Sequence, residues 1–253
     1  MNIQQIRNAT VNVEYGGQKF LIDPMLSKKG EFEPFLPAKR DDRNPILELP
    51  MPVDEILDGV DAVIVTHTHE DHFDQAAREL LPKDIKMFMQ DEADAELAKK
   101  SGFTNIEVME EGVGTTFNGV ELTEVDGRHG HGETAKLAGN VMGLVFQHPD
   151  EKTFYLAGDT VWYEKVKENI DTYKPEIIML NGGANEMNEL GTLIMGKEDI
   201  YEVYKAAPEA TIVVDHMEAV NHWGLSREEL KNFINEKGMT NVLVPDDGES
   251  NSF

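Results

Sequence analysis

The sequence predicts an α/β protein in which two mixed β-sheets pack face to face and helices cover their outer sides. Short extended segments, separated by Gly or Pro-Asp turn signals, dominate residues 106–157, and helical and extended segments alternate from about residue 161 onward. Apolar residues make up 40% of the 253 residues and charged residues 28%, so the chain can bury a large core. We interpret residues 1–253 as a single domain.

At the N-terminus, the residue pattern predicts a hairpin and then a buried strand. Apolar and polar residues alternate over 10–15, Gly16-Gly17 provides the turn, and 19–22 resumes the extended pattern. The apolar run 62–65 predicts a buried strand that ends at Thr66-His67. The next predicted elements are a helix over 74–81, a strand over 85–89 and a helix over 91–100 that begins at an Asp cap.

Between the hairpin and the buried strand, the segment from about residue 24 to residue 52 is irregular and contains six prolines. A loop this long inside a compact domain is usually either functional or disordered. Its apolar side chains, Phe32 and Phe35 among them, predict a packed active-site flap. An insertion that only covers exposed core fits the same pattern.

The rest of the chain is predicted to contain four strands, followed by alternating helices and strands. The strands cover 106–109, 120–125, 141–147 and 153–157. The alternating part comprises a helix over 161–170, a strand over 177–180, a helix over 197–206, a strand over 211–214, a helix over 226–236 and a strand over 242–244.

Charge and composition exclude several classes of function. The formal net charge is −25, from 48 acidic and 23 basic side chains, which disfavours nucleic acid or an anionic membrane as a partner. Because the chain has no cysteine, disulfides, thiolate nucleophiles and Cys-ligated zinc are excluded. The first residues lack the pattern of a secretion signal, and no apolar run approaches the ~20 residues that span a bilayer. We therefore expect a cytoplasmic protein without membrane contact, and a homo-oligomer is left open.

Histidines cluster directly after the predicted strand 62–65. Three of the eight histidines fall in the stretch His67-Thr68-His69-Glu70-Asp71-His72. A metal site needs several neutral imidazoles and carboxylates around one ion, and a tight loop at a strand end can supply them. The spacing lets His67 and His69 turn toward one ion while Asp71 and His72 reach a second position beside it.

Two other predicted strands also end at potential ligands. Residues 154–158 lead to Asp159, and residues 211–215 lead to His216. Strand ends at one edge of a sandwich lie close together in space, so these side chains can join the histidine cluster. A carboxylate such as Asp159 can bridge two cations with its two oxygens, although it could also cap the following helix.

Four features together resemble the metallo-β-lactamase superfamily of binuclear metallohydrolases. They are the motif His67-X-His69-X-Asp71-His72, a His near residue 130, Asp159 after Leu-Ala-Gly and His216 after a strand. The pattern covers nearly the whole chain. The resemblance implies a four-layer αβ/βα sandwich with the metals at one edge. It assigns His67, His69 and the His near 130 to one ion, Asp71, His72 and His216 to the other, and Asp159 to both.

A narrower resemblance comes from the opening segment. Residues 7–10 and 21–24 are similar to the branch of L-ascorbate-6-phosphate lactonases and related metal-dependent hydrolases. This resemblance implies that Asp23 supports the metal ligands from outside the coordination sphere.

Several assignments stay open at the level of sequence. His129 and His131 lie in the same Gly-rich segment, and we choose His129 as the ligand because it comes first after the preceding strand. His222 either contacts substrate or packs at a helix entry. Arg128 either holds a substrate carboxylate or phosphate or forms a surface ion pair. The segment 181–185 is a candidate pocket loop with backbone donors.

These residues predict a binuclear metal-dependent hydrolase in which a metal-bridging hydroxide attacks a small-molecule ester or lactone, phosphorylated or not. Asp71 is the predicted catalytic residue, since it can accept or deliver the proton of that water. The all-N/O ligand set admits two divalent ions, with zinc preferred and manganese or iron as alternatives. Their positive charge lets an acidic protein attract an anionic small molecule. The alternatives are a phosphodiesterase or ribonuclease of the same superfamily and a non-catalytic metal-binding protein.

Overall fold

Two seven-stranded β-sheets form the centre of the computed structural model, which describes residues 1–188 and 190–253. The strands are β1 (Asn2–Arg7), β2 (Thr10–Tyr15), β3 (Gln18–Ile22), β4 (Ala62–Val65), β5 (Lys86–Met89), β6 (Ile106–Val108), β7 (Gly114–Phe117), β8 (Val120–Asp126), β9 (Met142–Gln147), β10 (Phe154–Leu156), β11 (Ile177–Asn181), β12 (Glu186–Met187), β13 (Gly191–Thr192), β14 (Thr211–Asp215), β15 (Val242–Leu243) and β16 (Ser250–Ser252). The helices are α1 (Val53–Leu57), α2 (Gln75–Leu80), α3 (Glu92–Lys100), α4 (Glu133–Ala138), α5 (Glu164–Tyr173), α6 (Lys197–Ala206) and α7 (Arg227–Lys237). None of these described helices combines the length and the apolar character that a membrane crossing needs.

Both large sheets are mixed, as predicted. The first has the order β16-β1-β2-β3-β4-β5-β6, with β3 to β6 parallel and the remaining pairs antiparallel. The second has the order β15-β14-β11-β10-β9-β8-β7, with β10, β11, β14 and β15 parallel. β12 and β13 form a separate short hairpin.

Three apolar clusters define four layers. The central cluster joins the facing sides of the two sheets, where Phe20 and Phe146 meet edge to face with ring centroids 5.5 Å apart. A second cluster packs α1, α2 and α3 against the outer side of the first sheet. A third packs α5, α6 and α7 against the outer side of the second. This is the predicted sandwich with helices outside.

Three elements, β1, α4 and α5, differ from the sequence prediction. β1 was not predicted, because its polar Gln residues hide the extended pattern, yet it pairs with both β2 and β16. α4 follows the Gly-rich segment 127–132, and the sequence pattern showed no helix there because only six residues lie between Gly132 and Gly139. α5 begins at Glu164, three residues later than predicted, since Val161, Trp162 and Tyr163 stay extended or irregular.

The segment 24–52 forms no helix or strand in the structure, which describes all of it, apart from an isolated bridge between Phe32 and Asn44. It is nevertheless firmly attached. The Asn221 side chain accepts hydrogen bonds from Phe35 N and Asn44 Nδ2 at 2.9 Å each, and it donates to the carbonyls of Phe35 and Arg40 at 3.0 and 2.8 Å. At the other end, the buried Arg7 guanidinium donates to the carbonyls of residues 25, 27 and 47.

Candidate metal centre

The centre lies at the edge where β4, β10, β11 and β14 end. The loop after β4 folds into a tight turn in which the backbone N–H groups of His72 and Phe73 both donate to the carbonyl of His69 at 2.9 Å. The Phe73 side chain is fully buried and anchors the turn in the outer cluster of the first sheet. The polar side chains of the loop therefore point toward the ends of the neighbouring strands.

The structure brings all seven predicted ligands together. Their donor atoms form three overlapping groups in which all atoms lie within 4.8 Å of one another. The groups are His67, His69 and His129; His67, His72 and Asp159; and Asp71, His72 and His216. All seven side chains are buried except His69, which is partly exposed. Sharing of His67 and His72 between groups shows that the positions they define adjoin.

Asp159 lies at the middle of this arrangement. Its Oδ2 atom is 3.2 Å from His72 Nε2, 3.5 Å from His129 Nε2 and 3.9 Å from His67 Nε2. Its Oδ1 atom is 3.6 Å from His216 Nε2 and accepts a hydrogen bond from Asn181 Nδ2 at 2.6 Å. The two oxygens thus face different histidines, as a bridging carboxylate requires.

The geometry distinguishes the two histidines of the Gly-rich segment. His129 is buried, and its Nδ1 lies 3.0 Å from the carbonyl oxygen of Leu193, while His131 is exposed. Because a carbonyl only accepts hydrogen bonds, His129 Nδ1 carries the proton and Nε2 presents its lone pair to the cluster. His129 is therefore the one placed to bind an ion.

Asp23 lies behind the cluster, as the narrower resemblance implied. Its carboxylate accepts hydrogen bonds from the Thr66 N–H and hydroxyl at 2.7 Å each and lies 2.9 Å from His72 Nδ1. This contact holds the proton of His72 on Nδ1, so the Nε2 lone pair faces Asp159. Asp23 thus fixes the orientation of a cluster histidine without facing the cluster itself.

Three asparagines complete the surroundings, and sequence reasoning did not assign these roles. Asn8 Nδ2 lies 3.4 Å from Asp71 Oδ2 and 3.2 Å from His216 Nε2, and Asn181 donates to Asp159. The Asn185 amide joins two rings, at 3.4 Å from His216 Nδ1 and 3.3 Å from His222 Nε2. The segment 181–185 thus contributes side-chain amides to the site. The one local signal was the position of Asn8 in a turn, where its φ of 57° suits asparagine.

The donor atoms of the cluster need a positive charge between them. The lone pairs of His72 Nε2 and His129 Nε2 converge on the ionised Asp159, and such lone pairs repel one another unless a cation lies among them. Burial alone would lower the pKa of His72, yet Asp159, Asp23 and Asp71 raise it well above its ordinary value. The donor set and its electrostatics therefore fit a metal ion, which supplies this charge without a proton.

Burial and nearby rings tune the other groups. Burial, with His72 and His69 adding to it, holds the pKa of His67 well below its ordinary range, so its imidazole is neutral. Burial would raise the pKa of Asp71, but the nearby histidines, His72 first, hold it well below its ordinary range. A neutral imidazole and an ionised carboxylate are the forms that bind metals.

A small cavity opens beside the cluster. It measures about 210 Å³, and His69, Asp71, His129 and Asp159 line it on the side of the cluster. The remaining lining residues are mostly apolar: Phe35, Thr134, Leu137, Ala138, Met187, Leu190, Leu193 and His222. The described lining contains no lysine or arginine.

His222 and Arg128, the two open substrate candidates, lie in different places. The buried His222 ring lines the cavity and packs edge to face on Phe35, with centroids 4.9 Å apart. The Arg128 guanidinium instead lies 4.1 Å from the centroid of the Tyr163 ring and 4.0 Å from Glu164. Arg128 does not line the 210 Å³ cavity, but together with His129 it lines a second cavity of about 490 Å³.

Comparisons with known proteins agree with this geometry. A family model described as a beta-lactamase superfamily domain matches residues 18–217. UPF0173 protein YddR of Bacillus subtilis (strain 168) is 59% identical over 256 residues, covering 100% of both chains. The crystal structure of an isothiocyanate hydrolase from Delia radicum gut bacteria is similar at 45% identity and a TM-score of 0.96, covering 100% of this chain and 99% of that one. A possible metal-dependent hydrolase from Veillonella parvula DSM 2008 is 37% identical with a TM-score of 0.97 and the same coverage.

These similarities confirm the superfamily and the sandwich fold predicted from the sequence. The narrower resemblance to ascorbate-phosphate lactonases stays a prediction. Because the family model spans most of the chain and the Bacillus relative matches all of it, this chain belongs to the beta-lactamase superfamily.

Proposed function

We propose that this chain is a hydrolase that holds two divalent metal ions at the cluster. His67, His69 and His129 hold one ion, Asp71, His72 and His216 hold the other, and Asp159 contacts both. The observation that carries the proposal is the convergence of seven donor atoms in three groups, each within 4.8 Å. The name of the Veillonella relative, a possible metal-dependent hydrolase, is consistent with it.

When bound, two such ions lower the pKa of a water toward neutrality, which supplies hydroxide, and they polarise the electrophile. The chain's own residues orient the reaction. Asp71 lines the cavity and is held by Asn8, so its ionised carboxylate can receive the proton of the attacking water and pass it to the leaving atom. Asp23 and Leu193 fix the tautomers of His72 and His129.

The substrate that fits best is a small uncharged electrophile. At about 210 Å³ the cavity is smaller than a typical pocket for a drug-sized ligand, roughly 300–1,000 Å³, and its described lining offers no cation for a phosphate. We propose an isothiocyanate as the first substrate class, since the relative at 45% identity over the full chain is an isothiocyanate hydrolase. An uncharged ester or lactone, as predicted from the sequence, is the second, because the same cavity accommodates it.

For an isothiocyanate the overall step is balanced with one water. The water oxygen bonds to the central carbon and one of its protons moves to nitrogen, and the second proton then moves from oxygen to nitrogen as the C–N bond breaks. R–N=C=S and H₂O thus become the primary amine R–NH₂ and carbonyl sulfide, with no oxidant or reductant.

The test combines metal analysis with product detection. Protein purified without chelator should contain close to two transition ions per chain, and it should release amine and carbonyl sulfide in equal amounts from benzyl isothiocyanate. His69→Ala should lose metal and activity, while His131→Ala, on the exposed neighbour of His129, should keep both.

A substrate panel separates the alternatives. Faster cleavage of RNA or a cyclic nucleotide than of isothiocyanates, lactones and esters would favour the phosphodiesterase reading. Two bound ions without turnover of any of them would favour a non-catalytic metal-binding protein. A folded protein that binds no metal and cannot be reconstituted with zinc, manganese or iron would refute the proposed centre.

A further inference from the structure

Two of the five large hydrophobic side chains that are exposed in the described residues line the cavity. The large hydrophobic residues that are exposed in the described chain are Leu36, Leu80, Val113, Leu137 and Leu190. Leu137 and Leu190 line the cavity, and Leu36 is the chain neighbour of the lining residue Phe35. Leu137 is the most exposed of the five, at 72%. An exposed leucine lacks the stabilisation that burial would give. Exposed leucines that line a cavity beside a reactive site therefore indicate a surface that a bound ligand covers.

The two leucines come from two different segments that are joined by a hydrogen bond. Leu137 lies on α4, and Leu190 lies in the turn between β12 and β13. The segments are joined where the Thr134 hydroxyl donates to the carbonyl of Leu190 at 2.5 Å. This hydrogen bond uses the polar group of Thr134, so the surface that this part of the cavity presents to a ligand is apolar.

Resting on the function proposed above, we infer that Leu137 and Leu190 are specificity-determining residues that bind the apolar substituent of the substrate. Both line the same cavity as His69, Asp71 and His129. A molecule whose electrophilic carbon lies at His69, Asp71 and His129 therefore has its substituent in the part of the cavity that the two leucines line.

The size of the cavity favours this occupant over a protein partner. At about 210 Å³ the cavity has room for a small molecule only. A helix or strand of a second copy does not fit. Lys136, the charged neighbour of Leu137, is exposed and forms an ion pair with Glu133 at 2.6 Å. Its charge is therefore neutralised outside the apolar surface of the cavity.

The kinetic test compares a long and a short substituent. We expect Leu137→Ser and Leu190→Ser to lower the ratio of kcat/KM for 2-phenylethyl isothiocyanate to that for allyl isothiocyanate by about tenfold each. Leu80→Ser is the matched control, because Leu80 is also on a helix and 53% exposed but does not line the cavity. It should leave the ratio unchanged. A ratio that stays within twofold of wild type in both cavity variants would overturn the assignment.

A binding measurement separates this inference from the proposed reaction. The unreactive, uncharged probe 2-phenylacetamide is titrated calorimetrically into zinc-loaded protein, with acetamide as the short counterpart. About tenfold weaker binding of 2-phenylacetamide to the two cavity variants, without isothiocyanate turnover by wild type, would support the apolar subsite and refute the reaction. No difference between 2-phenylacetamide and acetamide in wild type would refute the subsite.

Light scattering addresses the remaining occupant. If the leucines instead join two copies of the chain, the serine variants should change the molecular mass in solution while the substrate ratio stays that of wild type. That combination would overturn the inference, whereas an unchanged mass with a lowered ratio would support it. The metal content of every variant should equal that of wild type. Loss of metal together with an equal decrease in kcat/KM for both isothiocyanates would count against a role in specificity.

Discussion

Replacing Asp23 by Asn should weaken metal binding while it preserves the backbone. Asp23 has a φ of 46°, a left-handed conformation that asparagine tolerates well. If the Asn oxygen keeps the 2.7 Å hydrogen bond from Thr66 N, its amino group faces His72 Nδ1. The His72 proton must then move to Nε2, the nitrogen that we propose binds an ion.

The size of the effect follows from this change. Loss of a partner outside the coordination sphere typically weakens metal affinity by about 10–100-fold, or roughly 1.4–2.8 kcal/mol. Asp23→Ala removes the acceptor altogether and leaves the buried donors of Thr66 and His72 unpaired. We therefore expect it also to lower the free energy of unfolding of the metal-free protein by about 3 kcal/mol or more.

Competition with a chromophoric chelator measures the dissociation constant of each ion, and urea unfolding of the metal-free protein measures stability. Asp61→Asn serves as the control, because Asp61 accepts one backbone hydrogen bond from Lys19, at 2.8 Å, on the exposed surface. Metal affinity of Asp23→Asn within threefold of wild type would refute the assigned role of the His72 tautomer.

Three further predictions address other parts of the molecule. His129→Ala should lose about one ion per chain by elemental analysis while His131→Ala keeps both, and the reverse result would exchange the two assignments. Burial raises the pKa of Glu124 to about 7, so the folded protein loses stability as the pH rises from about 4.5 to about 7. In urea unfolding, Glu124→Gln should be about 1 kcal/mol more stable than wild type at pH 8 and as stable as wild type at pH 4. The difference at pH 8 is only this large because Glu124 is half-buried. The same difference at both pH values would contradict the prediction. Asn221→Ala should lower the free energy of unfolding by about 3 kcal/mol and speed proteolysis within 24–52, since it removes four hydrogen bonds to that segment, and unchanged cleavage would show that the segment is held elsewhere.

The convergence of the seven candidate ligands could be predicted from the sequence because their signals are local. Histidines 67, 69 and 72 lie on one short loop, and Asp159 and His216 directly follow apolar strands. β4 belongs to one sheet and β10 and β14 to the other, and the ends of these strands meet at one edge of the sandwich, as predicted from the sequence. His129 against His131 was a choice between neighbours, and the deciding contact, with the carbonyl of Leu193, depends on the folded chain.

The cavity could not be predicted in the same way. Its lining comes from segments far apart in sequence, and one of them is α4, a helix of six residues between glycines. The position of the Arg128 side chain could not be predicted from the sequence either. Its charge beside a predicted ligand suggested an anion site, but the folded chain places its guanidinium over Tyr163.

The charge of the proposed centre supports an uncharged substrate. Two dications bring four positive charges, and the carboxylates of Asp23, Asp71 and Asp159 together with one hydroxide bring four negative charges. Asp215 is also buried nearby, and in the metal-free chain burial raises its pKa to about 8. Counted over these three carboxylates and one hydroxide, the charges of the proposed two-ion centre would cancel, which would weaken the pull on anions that the sequence suggested. An acidic protein with a neutral centre and an apolar cavity is best suited to a neutral electrophile, and a phosphorylated lactone should compete poorly with an unphosphorylated one of the same size.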